Sequence, residues 1–161
     1  MQPGFVTDPV QLDETDLVLL QHLQRDARLS QGALGSLVGL SAAAVNRRVR
    51  RLSEDGYIQR TAAVLEPSQL GCPLTVIAQV EAVSEEVERL DTLQARLIAC
   101  PYVQQCYYVT GEWDFVLVLL VADMDQYRHL TRELFFASDN VRRFKTLVVI
   151  DRAKVSLEVP L

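Results

Sequence analysis

The strongest constraint on this chain is a run of helix punctuation between Ser30 and Gly56. Ser30 and Ser41 each stand before a segment of helical periodicity, where a hydroxyl can accept from the unpaired amides of a first turn. Gly39 and Gly56 each stand after one, where glycine closes a helix in the left-handed conformation at little cost. The pattern predicts a short helix from Ser30 to about Val38, with an apolar stripe of Leu34, Leu37 and Val38. A longer one runs from Ala42 to about Asp55. Upstream, Leu17, Leu20 and Leu23 recur at helical spacing behind Asp13 and Asp16, acidic residues that suit a helix start, so a first helix is expected over about Glu14–Arg25. A scaffolding helix followed by two helices joined through a short glycine-containing turn is helix-turn-helix organisation.

The third helix carries the chemistry. With Val45, Val49 and Leu52 turned to the core, the opposite side presents Ala43, Asn46, Arg47 and Arg50, with Arg51 at its margin. Arg48 lies nearer the core edge, where its stem can pack. Arginine pairs bidentately with guanine O6 and N7, asparagine with adenine N6 and N7, and small residues near the helix start let it enter the major groove. The arginines are read as lacking acidic i,i+4 partners within the helix, so that four cations in five positions repel one another. A solvated cationic face is the plainer alternative, but its place on the second helix of the motif favours double-stranded DNA. The candidate DNA contacts are Gln31, Ser41, Ala43, Asn46, Arg47, Arg50 and Arg51. Ser30 can cap a helix or meet a phosphate, and Arg60 is a candidate backbone contact.

After the third helix, Tyr57–Leu65 reads as a short strand or wing, and Pro67 with Gly71–Cys72–Pro73 marks a linker. The expected division is a DNA-binding domain over residues 12–65, a linker over 66–73 and a second domain over 74–161. That second domain reads β-α-β-β-α-β: strand 74–83, helix 84–99, strands 102–110 and 113–121, helix 125–137 and strand 144–151, with 155–159 as a possible edge strand. Only Gly111 and Glu112 separate the two middle strands, a tight hairpin signal. The expected fold class is α+β, an N-terminal winged helix-turn-helix plus a C-terminal ferredoxin-like βαββαβ domain with two helices on one face of the sheet. Trp113–Val121 is apolar at almost every position, so the other face is expected to pack against another subunit.

Charge does not oppose this reading. The net charge is −5, yet residues 1–65 balance seven basic against seven acidic groups, leaving 16 − 7 = 9 basic and 21 − 7 = 14 acidic in the remainder. A local basic face on an acidic protein still binds DNA, because screening confines the interaction to about 10 Å. Cys72, Cys100 and Cys106 form no C-x-x-C pair and read as small buried hydrophobes rather than metal ligands. No apolar run approaches the roughly 18 residues that cross a bilayer. Residues 1–11 read as a loose arm without the pattern of a secretory signal, so a cytoplasmic location without membrane partners is expected, and no cofactor.

Several motifs together resemble the Lrp/AsnC regulators, the leucine-responsive or feast/famine proteins. They are Leu12–Asp13–Glu14–Thr15–Asp16, Gly39–Leu40–Ser41, Val45–Asn46–Arg47–Arg48–Val49–Arg50–Arg51–Leu52 and Gly56–Tyr57–Ile58. Downstream, Val109–Thr110–Gly111–Glu112–Trp113–Asp114 resembles the family's effector loop, and Val141–Arg142–Arg143 before the last strand also fits. The resemblance implies homodimers formed through the sheets, often assembled into octamers, and an amino acid or related small-molecule effector bound between subunits. It departs after Ile58, where Arg60 and Thr61 stand in place of the usual Gly and Tyr. Effector candidates are Val109, Thr110, Gly111, Glu112 and Asp114, with Thr146 carried over from the family; Met124 and Leu147 read as packing. On chemistry alone, the amides of Gly111 and Glu112 can take a carboxylate, and Asp114 or Glu112 an ammonium, though a turn with an incidental acidic tip fits the composition as well.

The expected function is therefore a sequence-specific transcriptional regulator, not an enzyme, whose assembly or DNA affinity responds to an effector. Two alternatives stand beside it. Sirohaem decarboxylases resemble the same family, but His22 lies among leucines and His129 on a solvated helix face, and neither reads as catalytic. The other is a ligand-binding assembly protein without DNA activity.

Overall fold

A computed structural model describes residues 12–161, which divide into two compact units. One comprises the chain up to Val64 together with Val155–Leu161, and the other spans Leu65–Lys154.

In the first unit, α1 (Glu14–Leu23), α2 (Gln31–Val38) and α3 (Ala42–Glu54) follow the punctuation of the sequence. The Ser30 and Ser41 hydroxyls accept from the amides of Ala33 (3.1 Å) and Ala44 (3.3 Å). Gly39 (φ 70°) and Gly56 (φ 82°) hold the left-handed conformation that ends α2 and α3. Asp13 and Asp16 form a reciprocal cap at the start of α1: each carboxylate accepts from the other residue's amide. Leu19, Leu34 and Val45, one from each helix, form a fully buried core, with Leu23, Leu29, Val38, Leu40 and Val49 packed around it. Leu37, expected on the apolar stripe of α2, is instead 53% exposed. The turn from α2 into α3 is tight because Gly35 has no side chain: a Cβ there would collide with the Leu40 carbonyl oxygen. The expected wing over residues 57–65 carries no strand.

In the second unit the elements follow the expected order: β1 (Leu74–Ala82), α4 (Val87–Ala99), β2 (Val103–Tyr108), β3 (Phe115–Val121), α5 (Met124–Thr131) and β4 (Val141–Val148). They form one antiparallel sheet in the order β2-β3-β1-β4. Val76, Ala78 and Val80 of β1 alternate into a core with Phe115, Leu117 and Leu119 of β3, closed by Leu90, Leu93 and Leu97 of α4 and by Tyr127 and Leu130 of α5. On the reverse face Ile77 pairs with Val118 and Leu147; Leu147 is 41% exposed.

Several boundaries differ from expectation for identifiable reasons. The helix expected from residue 84 starts at Val87, because buried Asn140 clasps Ser84, accepting from its amide (2.9 Å) and donating to its carbonyl (3.3 Å). The last strand starts three residues early, at Val141, directly after that clasp. Beyond α5 the chain widens into a π-helical turn over Arg132–Phe136, which sets both Phe135 (4.6 Å) and Phe136 (5.4 Å) against the Phe144 ring. Residues 155–159 form no strand. The Gln24 side chain instead brackets the backbone of Val159, accepting from its amide (2.8 Å) and donating to its carbonyl (3.1 Å).

Candidate nucleic-acid interface and effector loop

The outer side of α3 is laid out as its sequence spacing requires. Ser41, Ala43, Asn46, Arg47 and Arg50 are exposed, while Val45 and Leu52 are fully buried. The arginines are not the uniformly unpaired cluster expected, because each meets a different environment. Arg50 donates to Glu54 one turn on (2.7 Å), so the helix does hold an acidic i,i+4 partner, and the expectation that it lacks one is corrected. Arg48 bonds Asp13 (2.6 Å) and Asp16 (2.9 Å), and Arg51 bonds the other oxygen of Asp16.

Asp16 is the hub of this arrangement, with only 1% of its surface exposed. A carboxylate removed from water needs counter-charge and hydrogen-bond donors; Arg48 and Arg51 supply both and so lock α1 against α3. The guanidinium of Arg48 holds the Asp13 carboxyl below the ordinary carboxylate range, assisted by the Asp16 amide. Arg47 is then the arginine of the cluster with no ion pair among the described residues. A cleft of about 360 Å³ lies along this helix, lined by Leu40, Ala44, Arg47, Arg48 and Arg51. Gln31, at the start of α2, is half-buried, and its buried Oε1 has no partner among the described residues.

The second cluster lies at the tip between β2 and β3. The tight two-residue hairpin expected there is a longer loop, because β2 ends at Tyr108 and β3 begins at Phe115. Its last rung runs from the Val109 amide to the Asp114 carbonyl (2.9 Å), and Gly111 (φ 122°) takes the turn that only glycine adopts readily. Pairing of β1 with β3 stops at Val80, and the Asp114 carboxylate accepts the otherwise unpaired amide of Ala82 (2.7 Å). The tip reaches across β1 towards β4, where Glu112 accepts from Arg143 (2.9 Å). Arg143 also bonds Glu81 and stacks over the Trp113 ring, 4.6 Å from its centroid.

A bulge explains why two consecutive arginines meet one carboxylate. Glu81 pairs with Arg143 but Ala82 with Val141, so Arg142 is the extra residue; its guanidinium lies 3.3 Å from Glu81. The carboxylates of Glu81 and Glu112, in that order, hold Arg143 the more firmly protonated. Beside the bulge, a cleft of about 300 Å³ is walled by Phe135, Phe136 and Phe144 with Val141, Arg142 and Arg143.

The two halves match two known sequence patterns. Residues 12–59 match a winged helix-turn-helix DNA-binding domain, and residues 75–159 match the Lrp/AsnC ligand binding domain. The chain belongs to the Lrp/AsnC family. It is 35% identical over 152 residues to an HTH-type transcriptional regulator of Sinorhizobium fredii, covering 94% of this chain and 90% of that one. It is 34% identical over 143 residues to the leucine-responsive regulatory protein of Haemophilus influenzae, covering 89% and 86% respectively. Among solved structures it resembles a transcriptional regulator of Neisseria meningitidis in complex with L-Met (TM-score 0.88, 27% identity, 93% of this chain and 97% of that one). These relatives are regulators of transcription, so this Lrp/AsnC chain is a DNA-binding transcriptional regulator and the decarboxylase alternative falls away.

Within this Lrp/AsnC framework, the structure brings Val109, Thr110, Gly111, Glu112 and Asp114 together in one loop. Thr146 is set apart from it. It pairs with Ala78 on the helix side of the sheet, where its hydroxyl lies 2.7 Å from that of Tyr127, whereas Arg143 and Glu81 occupy the opposite face. Asp16, Glu81 and Arg143 were not singled out from the sequence. Asp16 carried the signal of a helix cap, and Arg143 that of a family motif, but their ion-pair partners lie 31 to 62 residues away.

Proposed function

We propose that the regulator reads double-stranded DNA in a sequence-specific way through α3, and that an amino acid or related small metabolite at the 109–114 loop changes its assembly or DNA affinity. The observation that carries the DNA reading is the division of labour among the arginines. Arg48 and Arg51 reach back to buried Asp16, which fixes the helix, while Arg47 stands outward beside Ala43 and Asn46. A fixed helix with an uncommitted cation on its outer face suits entry into the major groove. Arg50 joins it by exchanging Glu54 for a phosphate. Arg51 adds its positive field at the margin, and Gln31 and Ser41 sit at helix starts, where phosphate is favoured.

Support for the effector comes from the loop. The amides of Gly111 and Glu112 make no hydrogen bond among the described residues, and the same loop carries the carboxylates of Glu112, which meets Arg143, and of Asp114, which meets the Ala82 amide. The reverse face of the sheet, centred on Ile77, Val118 and Leu147, suits a homodimer, with higher assembly to an octamer, acting in the cytoplasm.

The test is retardation of the chain's own upstream DNA across a salt series, with light scattering in parallel, for the wild type and Arg47→Ala. Wild-type affinity falls steeply with salt. The variant binds on the order of tenfold more weakly at every salt concentration and keeps the same assembly. Wild-type affinity in the variant removes α3 from the interface.

A further inference from the structure

Four arginines on α3 are met by three carboxylates, Asp13, Asp16 and Glu54, which leave the group a charge of 4 − 3 = +1. The three carboxylates are not equivalent. Asp13 and Glu54 are exposed and can trade an arginine for another anion at little cost, whereas Asp16 is 1% exposed. A buried carboxylate stripped of its partner keeps its desolvation penalty uncompensated, so it does not readily yield a guanidinium to a solvated phosphate. Arg51 is the arginine held most completely in this way. Its carboxylate partner among the described residues is Asp16, while Arg48 has a second one in Asp13. Yet Arg51 is within reach of a ligand on the outer side: its side chain is 41% exposed, and it lines the same cleft as Arg47. Its buried Nε has no hydrogen-bond partner among the described residues, so one of its donors is already unsatisfied.

We infer that Asp16 is a specificity-determining residue: by withholding the Arg51 guanidinium from phosphate, it keeps affinity for DNA of arbitrary sequence low and leaves discrimination to Ala43, Asn46 and Arg47. This rests on the reading of α3 as the recognition helix and assigns a role within it to a residue that touches no DNA. Phosphate contacts strengthen binding to every sequence, and base contacts only to the right one. On its operator the register of α3 is fixed by base edges, so a released Arg51 gains only if a phosphate lies where it points. On random DNA the protein is free to slide and tilt until one does. Release therefore raises non-specific affinity more than specific affinity. Asp16 also holds α1 against α3, so its loss blurs the helix angle on which base contacts depend. Both effects lower the ratio of the two affinities. Asp16 acts through Arg51, as a positioning residue.

The experiment follows the anisotropy of the chain's labelled upstream DNA and of a shuffled duplex of the same length and composition across a salt series. The full-length protein is used at a temperature where circular dichroism shows every variant folded. Asp16→Asn keeps the shape of the side chain and removes its charge. It binds the shuffled duplex more tightly, with a log–log salt slope steeper by about 1, the signature of one added phosphate contact. The ratio of upstream to shuffled affinity falls about tenfold, the scale of losing one base pair's discrimination. Asp16→Glu keeps the charge and stays closer to the wild type in slope and ratio. Asp16→Asn combined with Arg51→Gln loses the extra slope although it is no more stable than Asp16→Asn alone, a return that a merely structural role for Asp16 does not produce.

If Asp16→Asn weakens both duplexes in proportion with an unchanged slope, or binds both as the wild type does, the inference fails. A steeper slope with the ratio intact also overturns it, since Arg51 would then be released without any effect on specificity. Arg47→Ala in the same assay keeps the two readings apart: weakened binding upholds α3 as the interface whatever Asp16→Asn does, and wild-type binding removes α3 and this inference together.

Discussion

Two glycines in the same eight-residue helix are expected to respond in opposite directions to one added methyl group. In α2, a Cβ on Gly35 would fall onto the Leu40 carbonyl oxygen, with the Leu40 carbonyl carbon at 3.4 Å and the Ser41 carbonyl carbon at 3.6 Å. That backbone cannot retreat cheaply. The Leu40 amide donates to the Gly35 carbonyl at 2.9 Å, and Gly39 (φ 70°) and capping Ser41 fix both sides of the turn. Overpacking costs about 1–3 kcal/mol, and loss of the turn's hydrogen bond about 1 kcal/mol more. The better helix propensity of alanine returns only about 1 kcal/mol. Gly35→Ala should therefore destabilise the helical unit by about 1–3 kcal/mol. At Gly32 the nearest atom to a new Cβ is the Ser30 hydroxyl oxygen at 3.9 Å, so Gly32→Ala should stabilise by about 0.5–1 kcal/mol. Urea unfolding followed by far-ultraviolet circular dichroism measures both. Since the turn also sets the angle between α2 and α3, Gly35→Ala should weaken DNA retardation at temperatures where the unit remains folded. Equal stability of the two variants would refute the close-approach argument.

Other outcomes follow from the same geometry. Asp16→Ala removes the carboxylate between Arg48 and Arg51 together with half of the reciprocal cap. It should cost about 2–4 kcal/mol in urea unfolding, the lower end reflecting solvent around the two guanidinium groups. The Asp13 carboxyl is depressed by folding below its ordinary 3.8, so its contribution is complete above that value and lost as pH falls through the lower folded one. The α1–α3 contact should therefore weaken on acidification below about pH 4 and be indifferent to alkali in this respect, as acid titration of helical content would show. Tyr127→Phe leaves Thr146 without its 2.7 Å partner and should lower the sheet domain's stability by about 1 kcal/mol; an unchanged denaturation midpoint would show that the hydroxyl pair contributes nothing. Asp114→Ala uncovers the Ala82 amide and loosens the loop, so it should abolish the effector response while DNA binding persists, with normal titration of the variant the contrary result.

Much of this fold is legible in the chain itself because its signals are local. A serine before a periodic segment and a glycine after it act on amides within one turn, so α2 and α3 fall where the residues place them. Alternation decides which side of β1 is buried, and the order of elements in the second unit follows from period and breakers alone. What only the tertiary structure decided is the fate of charges. Four arginines on one helix look alike in sequence, yet Arg48 and Arg51 are committed by a carboxylate 32 and 35 residues away, and Arg47 by none among the described residues; the Arg50–Glu54 pair, one turn apart in the same helix, is the local exception. Arg143 likewise reads as one of two basic residues ahead of a strand until the register of β4 against β1 sets it opposite Glu81, 62 residues distant. Helix caps and alternation depend on neighbours in the chain, which a sequence contains; ion pairs and loop closure depend on neighbours in space, which exist only once the backbone has brought them together.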